Sequence, residues 1–282
     1  MMETKVSSAT KEVVIGDKQP TVLIGERINP TGRKKLAEAL QTGNLEVVCQ
    51  DALAQVQAGA DILDVNVGAA GVDEVALLPR AVEAVMDTVN VPLCLDSAKP
   101  EALEAALKVY KGKPLINSVT GEESSLAIVL PLVKKFGAAV IGLLQDEEGV
   151  PNNAERRVAV AHKIVERATA LGIPAEDVII DCLALTVSAD TSAGLVTLET
   201  IRRVKSELGV NMTLGMSNVS FGLPDRHLVS SVFLSMAIAA GVNCPIVDVA
   251  KARPVVLATD LALGRDEYAR RYIKAYRQRQ TL

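Results

Sequence analysis

Short apolar segments recur along this chain, and stretches with the three-to-four-residue spacing of a helix separate them. Alternation of strand and helix around eight apolar strands is the pattern of a (β/α)8 barrel. The segments are almost continuously hydrophobic, as expected of parallel strands covered on both faces. The eight predicted strands are Thr21–Gly25, Asp61–Val67, Pro92–Asp96, Pro114–Ser118, Ala138–Leu144, Val178–Leu183, Asn211–Met216 and Cys244–Val249.

This alternation predicts a single α/β domain, a (β/α)8 TIM barrel, over residues 21–282 with a C-terminal helix, preceded by an N-terminal extension over residues 1–20. No Pro/Gly/Ser-rich linker interrupts the pattern. The alternative is an open doubly wound sheet. It has less support because the Gly-x-Gly-x-x-Gly phosphate loop, usual in the first turn of such sheets, is missing.

Composition indicates an enzyme-sized cytoplasmic chain with an aliphatic core, 49% hydrophobic and only 2% aromatic. No apolar run approaches the ~18 residues of a membrane span, and the polar opening Met1–Lys11 lacks the order of a secretory signal. A net charge of -4 argues against a nucleic-acid-binding protein, since phosphate binding needs a basic surface. Four separated cysteines and two isolated histidines form no metal-site signature, so no metal site is expected.

Several predicted strands end in polar side chains. In a (β/α)8 barrel all carboxyl ends of the strands meet at one mouth. Carboxylates and amides there are costly to bury unless they form hydrogen bonds, so a ligand rich in N–H donors is the natural partner. For any single residue the alternative is a helix N-cap. The polar strand ends are Asp64 and Asn66, Asp96-Ser97, Asn117-Ser118, Asp181 and Ser217-Asn218.

Five short motifs give the chain a resemblance to a known family. They are Gly25-Glu26-Arg27-Ile28-Asn29, Leu63-Asp64-Val65-Asn66-Val67-Gly68, Leu93-Cys94-Leu95-Asp96-Ser97, Ile116-Asn117-Ser118 and Ser217-Asn218-Val219-Ser220. In this order and spacing the chain resembles the pterin-binding methyltransferases that move a methyl group between tetrahydrofolate and a corrinoid protein. It is most similar to those acting on a corrinoid/iron–sulfur protein, and more distantly to the folate domain of cobalamin-dependent methionine synthase.

The resemblance implies a dihydropteroate-synthase-like barrel whose Asp96, Asn117 and Asp181 hold the pterin ring, with Asp64 and Asn66 lining the same pocket. Carboxylates accept from the N–H groups of the pterin's pyrimidine edge, and an asparagine amide supplies both a donor and an acceptor.

At the other side of the predicted pocket, Asn218 matches the family residue beside pterin N5 and is the expected catalytic residue. Phe221 stands where a relative carries Gln and is expected to contact the substrate. Arg226 is a candidate for the folate carboxylate, unless it is only a surface residue that opens a helix. Lys205 is a second candidate for that carboxylate.

The implied substrates are tetrahydrofolate or 5-methyltetrahydrofolate and a cobalamin carried by a partner corrinoid protein, and similar proteins form homodimers. An amide cannot act as an acid, so Asn218 would stabilise positive charge or a proton that develops at N5 as the methyl leaves.

Two other functions remain open. Dihydropteroate synthases have a similar pterin pocket, but they carry Lys on strand seven and Arg-x-His on strand eight. This chain has Ser217-Asn218 and Val247-Asp248-Val249-Ala250 at those places. The other possibility is a folate-binding barrel without catalysis, which the intact Asn218 disfavours.

Overall fold

The computed structural model describes residues 2–280 and contains an eight-stranded parallel barrel. Neighbouring strands pair in chain order, and the last strand returns to the first. The barrel closes where the Ile246 amide donates to the Leu214 carbonyl over 3.1 Å. Its strands are β3 (Ile24–Ile28), β4 (Ile62–Asn66), β5 (Leu93–Asp96), β6 (Leu115–Thr120), β7 (Ala139–Leu143), β8 (Val178–Asp181), β9 (Asn211–Thr213) and β10 (Ile246–Val247). The predicted (β/α)8 barrel is confirmed.

Helices follow the strands and form the outer layer. They are α1 (Lys34–Gln41), α2 (Glu46–Ala58), α3 (Glu74–Thr88), α4 (Pro100–Val109), α5 (Glu123–Phe136), α6 (Ala154–Ala170), α7 (Ala193–Glu207), α8 (Arg226–Ala240), α9 (Val249–Ala262) and α10 (Arg270–Gln280). The last barrel strand is shorter than predicted because Val249 already begins α9. Within residues 2–280, no helix has the length and apolar character needed to cross a membrane.

Side chains of the barrel strands alternate between two separate cores, because successive residues of a strand point to opposite faces. One core lies between the sheet and the helices and includes Leu63, Leu95 and Ile116. The other fills the inside of the barrel. It includes Cys244, just before β10, and the barrel-strand residues Ile24, Ile62, Cys94, Leu115, Ala139, Ile141 and Ile179.

An antiparallel hairpin of β1 (Thr4–Ser7) and β2 (Glu12–Ile15) covers the end of the barrel at which the strands begin. Its Val6, Val13 and Ile15 belong to the inner core. The hairpin is also held by backbone bonds, for example from the Ser7 amide to the Lys113 carbonyl at 2.9 Å. The segment predicted as an N-terminal extension therefore seals one end, and the carboxyl ends of the strands form the open mouth.

Candidate active site

Four polar residues at the mouth of the barrel point inward, in line with the strand residues of the inner core. Each comes two residues after a member of the inner core, so the alternation of the strand directs it inside. They are Asp64 after Ile62, Asp96 after Cys94, Asn117 after Leu115 and Asp181 after Ile179. The strand registers set Asp64 beside Cys94 and Asp96 beside Asn117.

Two amides and two carboxylates form a hydrogen-bonded cluster on β4, β5 and β6. The Asn117 amide donates to Asp64 Oδ1 at 3.1 Å, and the Asn66 amide donates to Asp96 Oδ2 at 2.9 Å. Asn66 Oδ1 in turn accepts from the Gly68 backbone at 2.7 Å. Asp64, Asn66, Asp96 and Asn117 are thus fixed before any ligand arrives.

The carboxyl groups of Asp64 and Asp96 lie close together, so the ionisation of one opposes the ionisation of the other. Burial raises the pKa of Asp64 well above its ordinary value, and the charge of Asp96 raises it further. Burial also raises the pKa of Asp96, although the bond from Asn66 lowers it in part. Since like charges cannot both be buried cheaply, we assign the proton to Asp64 and the negative charge to Asp96.

Asp181 lies across the mouth from this cluster, at the end of β8. It is buried, and its Oδ1 accepts a 2.8 Å hydrogen bond from the Leu183 backbone. Burial raises the pKa of Asp181 to about 6, against the lowering effects of the Leu183 amide and the Arg157 guanidinium. Oδ2 accepts no hydrogen bond within residues 2–280 and remains available to a ligand.

Asn218 ends a short 3-10 turn, Met216–Asn218, that follows β9. Its side chain is exposed and has no hydrogen-bond partner in the part of the chain that the structure describes. The amide nitrogen lies over Gly215, where an added Cβ would stand only 3.2 Å from Asn218 Nδ2. Glycine at 215 therefore leaves room for this amide.

Glu26, on β3, supports the turn that carries Asn218. The Ser217 hydroxyl donates to Glu26 Oε1 at 2.6 Å. Burial raises the pKa of Glu26, and the nearby Asp248 carboxylate adds to this rise while the bond from Ser217 opposes it. The sequence motif containing Glu26 was noted above, but nothing in it indicated this contact with the Asn218 turn.

Phe221 lies in the loop before α8, and it contacts Arg226, the first residue of that helix. Arg226 Nη2 donates to the Ser217 carbonyl at 2.7 Å, and its guanidinium carbon stands 5.2 Å from the centre of the Phe221 ring. The Phe221 ring is 65% exposed. Its backbone carbonyl accepts from the Thr186 and Ser188 hydroxyls at 2.7 and 2.8 Å. Arg226 therefore braces the Asn218 turn from the rim of the mouth.

Lys205 lies at the sealed end of the barrel, which corrects the expectation that it meets the folate carboxylate. It stands near the C-terminus of α7, and helices of the barrel run opposite to the strands. Lys205 Nζ is 3.2 Å from Asp17 Oδ2, in the segment just after the N-terminal hairpin. The local sequence resembles the family segment, but the chain direction takes this residue away from the mouth.

Arg157 is the functional candidate that sequence reasoning missed. It lies on α6 with no exposed surface, and it contacts the backbone just after Asp181. A signal was present, because Arg157 precedes Ala161 by four residues and so places a charge on the buried stripe of its helix.

Comparison with known proteins identifies the family. A profile of the family described as "Pterin binding enzyme" matches residues 25–248. The chain belongs to the pterin-binding enzyme family. The match begins at Gly25 on β3 and ends just after β10, so it spans the whole barrel.

Two curated relatives of this pterin-binding enzyme are a methyltransferase and a methionine synthase. It is 31% identical over 267 residues to methylcorrinoid:tetrahydrofolate methyltransferase of Eubacterium limosum, covering 91% of this chain and 96% of that protein. It is 32% identical over 266 residues to methionine synthase of Mycobacterium leprae, covering 90% of this chain but 22% of that longer protein. These relatives support a methyltransferase.

Solved dihydropteroate synthases share the fold. The enzyme from Stenotrophomonas maltophilia superimposes with a TM-score of 0.72 at 20% identity, over 92% of this chain and 98% of that one. The enzyme from Yersinia pestis gives 0.70 at 17% identity, over 93% and 99%. At such identities the likeness shows the barrel architecture alone.

Proposed function

We propose that this protein transfers a methyl group between N5 of tetrahydrofolate and the cobalt of a corrinoid carried by a separate protein. The observation that carries the proposal is the exposed Asn218 amide, which has no hydrogen-bond partner within residues 2–280 and lies at the same mouth as the prearranged acceptors Asp96 and Asp181. The similarity to a methylcorrinoid:tetrahydrofolate methyltransferase along nearly the whole chain supports it.

The pterin ring would be held by Asp96, Asn117 and Asp181. Asp96 bears the negative charge of its pair, and Asp181 has a free Oδ2, so both can accept N–H groups of the 2-amino-4-oxo pyrimidine edge. Asn117 commits its amide N–H to Asp64 and therefore offers its carbonyl oxygen. In this arrangement Asp64 and Asn66 act beneath the ligand, by orienting Asn117 and Asp96.

Asn218 would act at N5. When the methyl group leaves N5, the C–N bond breaks and its electron pair stays on nitrogen, which takes a proton from solvent. A tertiary amine is a poor leaving group unless it is protonated, so a hydrogen bond to that proton lowers the barrier. The partner's corrinoid supplies the cobalt that accepts the methyl group or, in the reverse direction, donates it.

The rim of the mouth would bind the rest of the folate. Arg226 is exposed and has donors beyond the one that it gives to Ser217, so it can also meet a carboxylate of the glutamate tail. The Phe221 ring beside it offers an exposed aromatic face to the aminobenzoyl group.

Self-association into a homodimer is part of the proposal. On α8, Leu228, Val232 and Met236 are all exposed, by 60%, 55% and 45%. Their spacing of four residues aligns them on one helix face, and a second copy of the chain would cover that face. Sedimentation of the wild type against Val232→Glu tests this, since a dimer should become monomeric and an unchanged mass would contradict it.

Turnover distinguishes the proposal from its alternatives. With 5-methyltetrahydrofolate and reduced cobalamin, free or bound to a corrinoid protein, the enzyme should produce methylated cobalamin, which is followed by its absorbance. Folate binding without methyl transfer to either acceptor would indicate a non-catalytic barrel. Formation of dihydropteroate from a pterin pyrophosphate and 4-aminobenzoate would indicate the synthase alternative.

A further inference from the structure

Arg157 is a buried cation without a carboxylate partner. Its side chain has no exposed surface. Within residues 2–280 no carboxylate forms a hydrogen bond or ion pair with it. Its hydrogen bonds go instead to the Pro151 carbonyl at 2.8 Å, the Cys182 and Leu183 carbonyls at 3.1 and 2.9 Å, and the Thr197 hydroxyl at 3.3 Å. Burying a charge is costly unless it is paired, so a buried guanidinium bound only to neutral groups indicates a function for Arg157.

The residue that joins Arg157 to Asp181 is Leu183. It has a left-handed backbone conformation, with φ of 55°, that is unusual for a branched residue. Its amide donates to Asp181 Oδ1 at 2.8 Å, while its carbonyl accepts from Arg157 Nη1 at 2.9 Å. Arg157 Nη1 also donates to the Cys182 carbonyl, which shares a peptide with the Leu183 amide, so the guanidinium holds the backbone that in turn holds the Asp181 carboxylate.

We infer that Arg157 is a positioning residue that holds the end of β8 in place and orients Asp181 as an acceptor for the pterin. This rests on the proposed function in so far as the pterin is the ligand of Asp181. Arg157 itself lies behind the Asp181–Leu183 backbone and touches no substrate.

The cysteines and the flanking strands around Asp181 do not supply a positive charge that could replace that of Arg157. The thiols of Cys182 and Cys244 are buried, and burial together with the Asp181 charge raises the pKa of each, so both are neutral near neutral pH. The flanking strands, Ala139–Leu143 and Asn211–Thr213, contain no ionisable residue. Burial lowers the pKa of Arg157, but a guanidinium stays protonated at neutral pH.

The charge of Arg157 should set the pH range over which Asp181 can bind folate. The pKa of Asp181 is about 6 with the guanidinium in place, so the carboxylate is ionised at neutral pH and protonated in mild acid. Replacing Arg157 by a neutral residue removes a lowering influence and raises this pKa further. Folate affinity should then fall most at neutral pH and recover in part at alkaline pH, where only the loss of positioning remains, whereas a purely structural defect would lower it equally at every pH.

The test compares Arg157→Gln with Arg156→Gln, a matched control on the same helix. Arg156 is exposed and pairs with Asp146 and Glu148 at the surface. Carboxyl NMR of isotope-labelled protein, with Asp181→Asn to assign the resonance, reads the Asp181 midpoint without any folate. We expect the midpoint to rise in Arg157→Gln and to stay unchanged in Arg156→Gln. An unchanged midpoint in folded Arg157→Gln would overturn the inference.

Arg157→Lys is a second test variant, and it also tests the inference if Arg157→Gln does not fold. It keeps the cation but cannot bridge the same set of carbonyls, so the Asp181 midpoint should stay near that of the wild type while folate affinity at alkaline pH falls about tenfold. Unchanged affinity would contradict the positioning role. If the wild type binds no folate but the midpoint moves as expected, the proposed function fails and the effect of Arg157 on Asp181 stands.

Discussion

The Asn117 side-chain amide donates to Asp64 Oδ1 at 3.1 Å. This hydrogen bond links β6 to β4, the two strands that flank β5. This bond gives the two residues different tasks. Asn117 uses an amide N–H in this bond, and Asp64, whose pKa burial raises well above its ordinary value, supports the Asn117 side chain. The polar strand ends are therefore not an equivalent set of ligand contacts.

Asp64→Asn should change folate affinity by less than about threefold, because an amide can accept from Asn117 and donate to Asp96 as the protonated carboxyl does. Asp96→Asn should weaken binding by about 10- to 100-fold, since it removes the charged acceptor. Calorimetry with tetrahydrofolate measures both. Equal losses in the two variants would contradict the assignment of the proton to Asp64.

Arg226→Ala should weaken binding of tetrahydrofolate by about tenfold but leave binding of a tetrahydropterin without the glutamate tail nearly unchanged. Lys205→Ala is the matched control, because it removes a cation at the sealed end of the barrel, where Lys205 pairs with Asp17. Fluorescence titration with the two ligands checks this. If both ligands lose affinity equally, Arg226 serves only to brace the Ser217 carbonyl.

The alternation of apolar runs was enough to predict the barrel, and the two-residue period of a strand explains why Asp96, Asn117 and Asp181 point inward together. The hydrogen bonds from Asn117 to Asp64 and from Asn66 to Asp96 could not be predicted, because which amide meets which carboxylate depends on strand register. Lys205 was misplaced since local similarity does not report the end of the barrel at which a helical residue lies. Arg157 lies on the buried stripe of α6, but its role could not be predicted because most of its partners are backbone carbonyls, whose positions leave no pattern in a sequence.

Asp260→Ala should lower the free energy of unfolding by about 3 kcal/mol, because it leaves buried partners unpaired. Asp260 on α9 has no exposed surface and accepts from the Thr21 amide and hydroxyl at 3.0 and 2.7 Å and from Arg271 at 3.0 Å. It therefore ties α10 to the start of the first barrel strand.

Urea denaturation of Asp260→Ala beside Glu267→Ala measures that difference. Glu267 is an exposed acid in the segment that leads to α10, and its removal should change stability very little. Comparable losses in both variants would mean that the Asp260 contacts contribute nothing beyond surface charge.

Asn218→Ala should separate binding from chemistry. The amide is exposed at the mouth and makes no hydrogen bond within residues 2–280, so its removal leaves no protein group unpaired. If it acts on N5 as charge develops, its contribution is larger in the transition state than in the bound state, and such interactions appear in the rate. We expect a loss of about 10²-fold in methyl transfer with a much smaller loss of folate affinity.

Stopped-flow absorbance of cobalamin, beside equilibrium binding of 5-methyltetrahydrofolate, decides the role of Asn218. Ser217→Ala is the control variant, because it removes the hydrogen bond to Glu26 that supports the turn but keeps the Asn218 amide. It should reduce the rate less than Asn218→Ala does. Equal losses of rate and affinity in Asn218→Ala would make this residue a simple ligand contact, and an unchanged rate would remove it from the mechanism, leaving N5 to be stabilised by water alone.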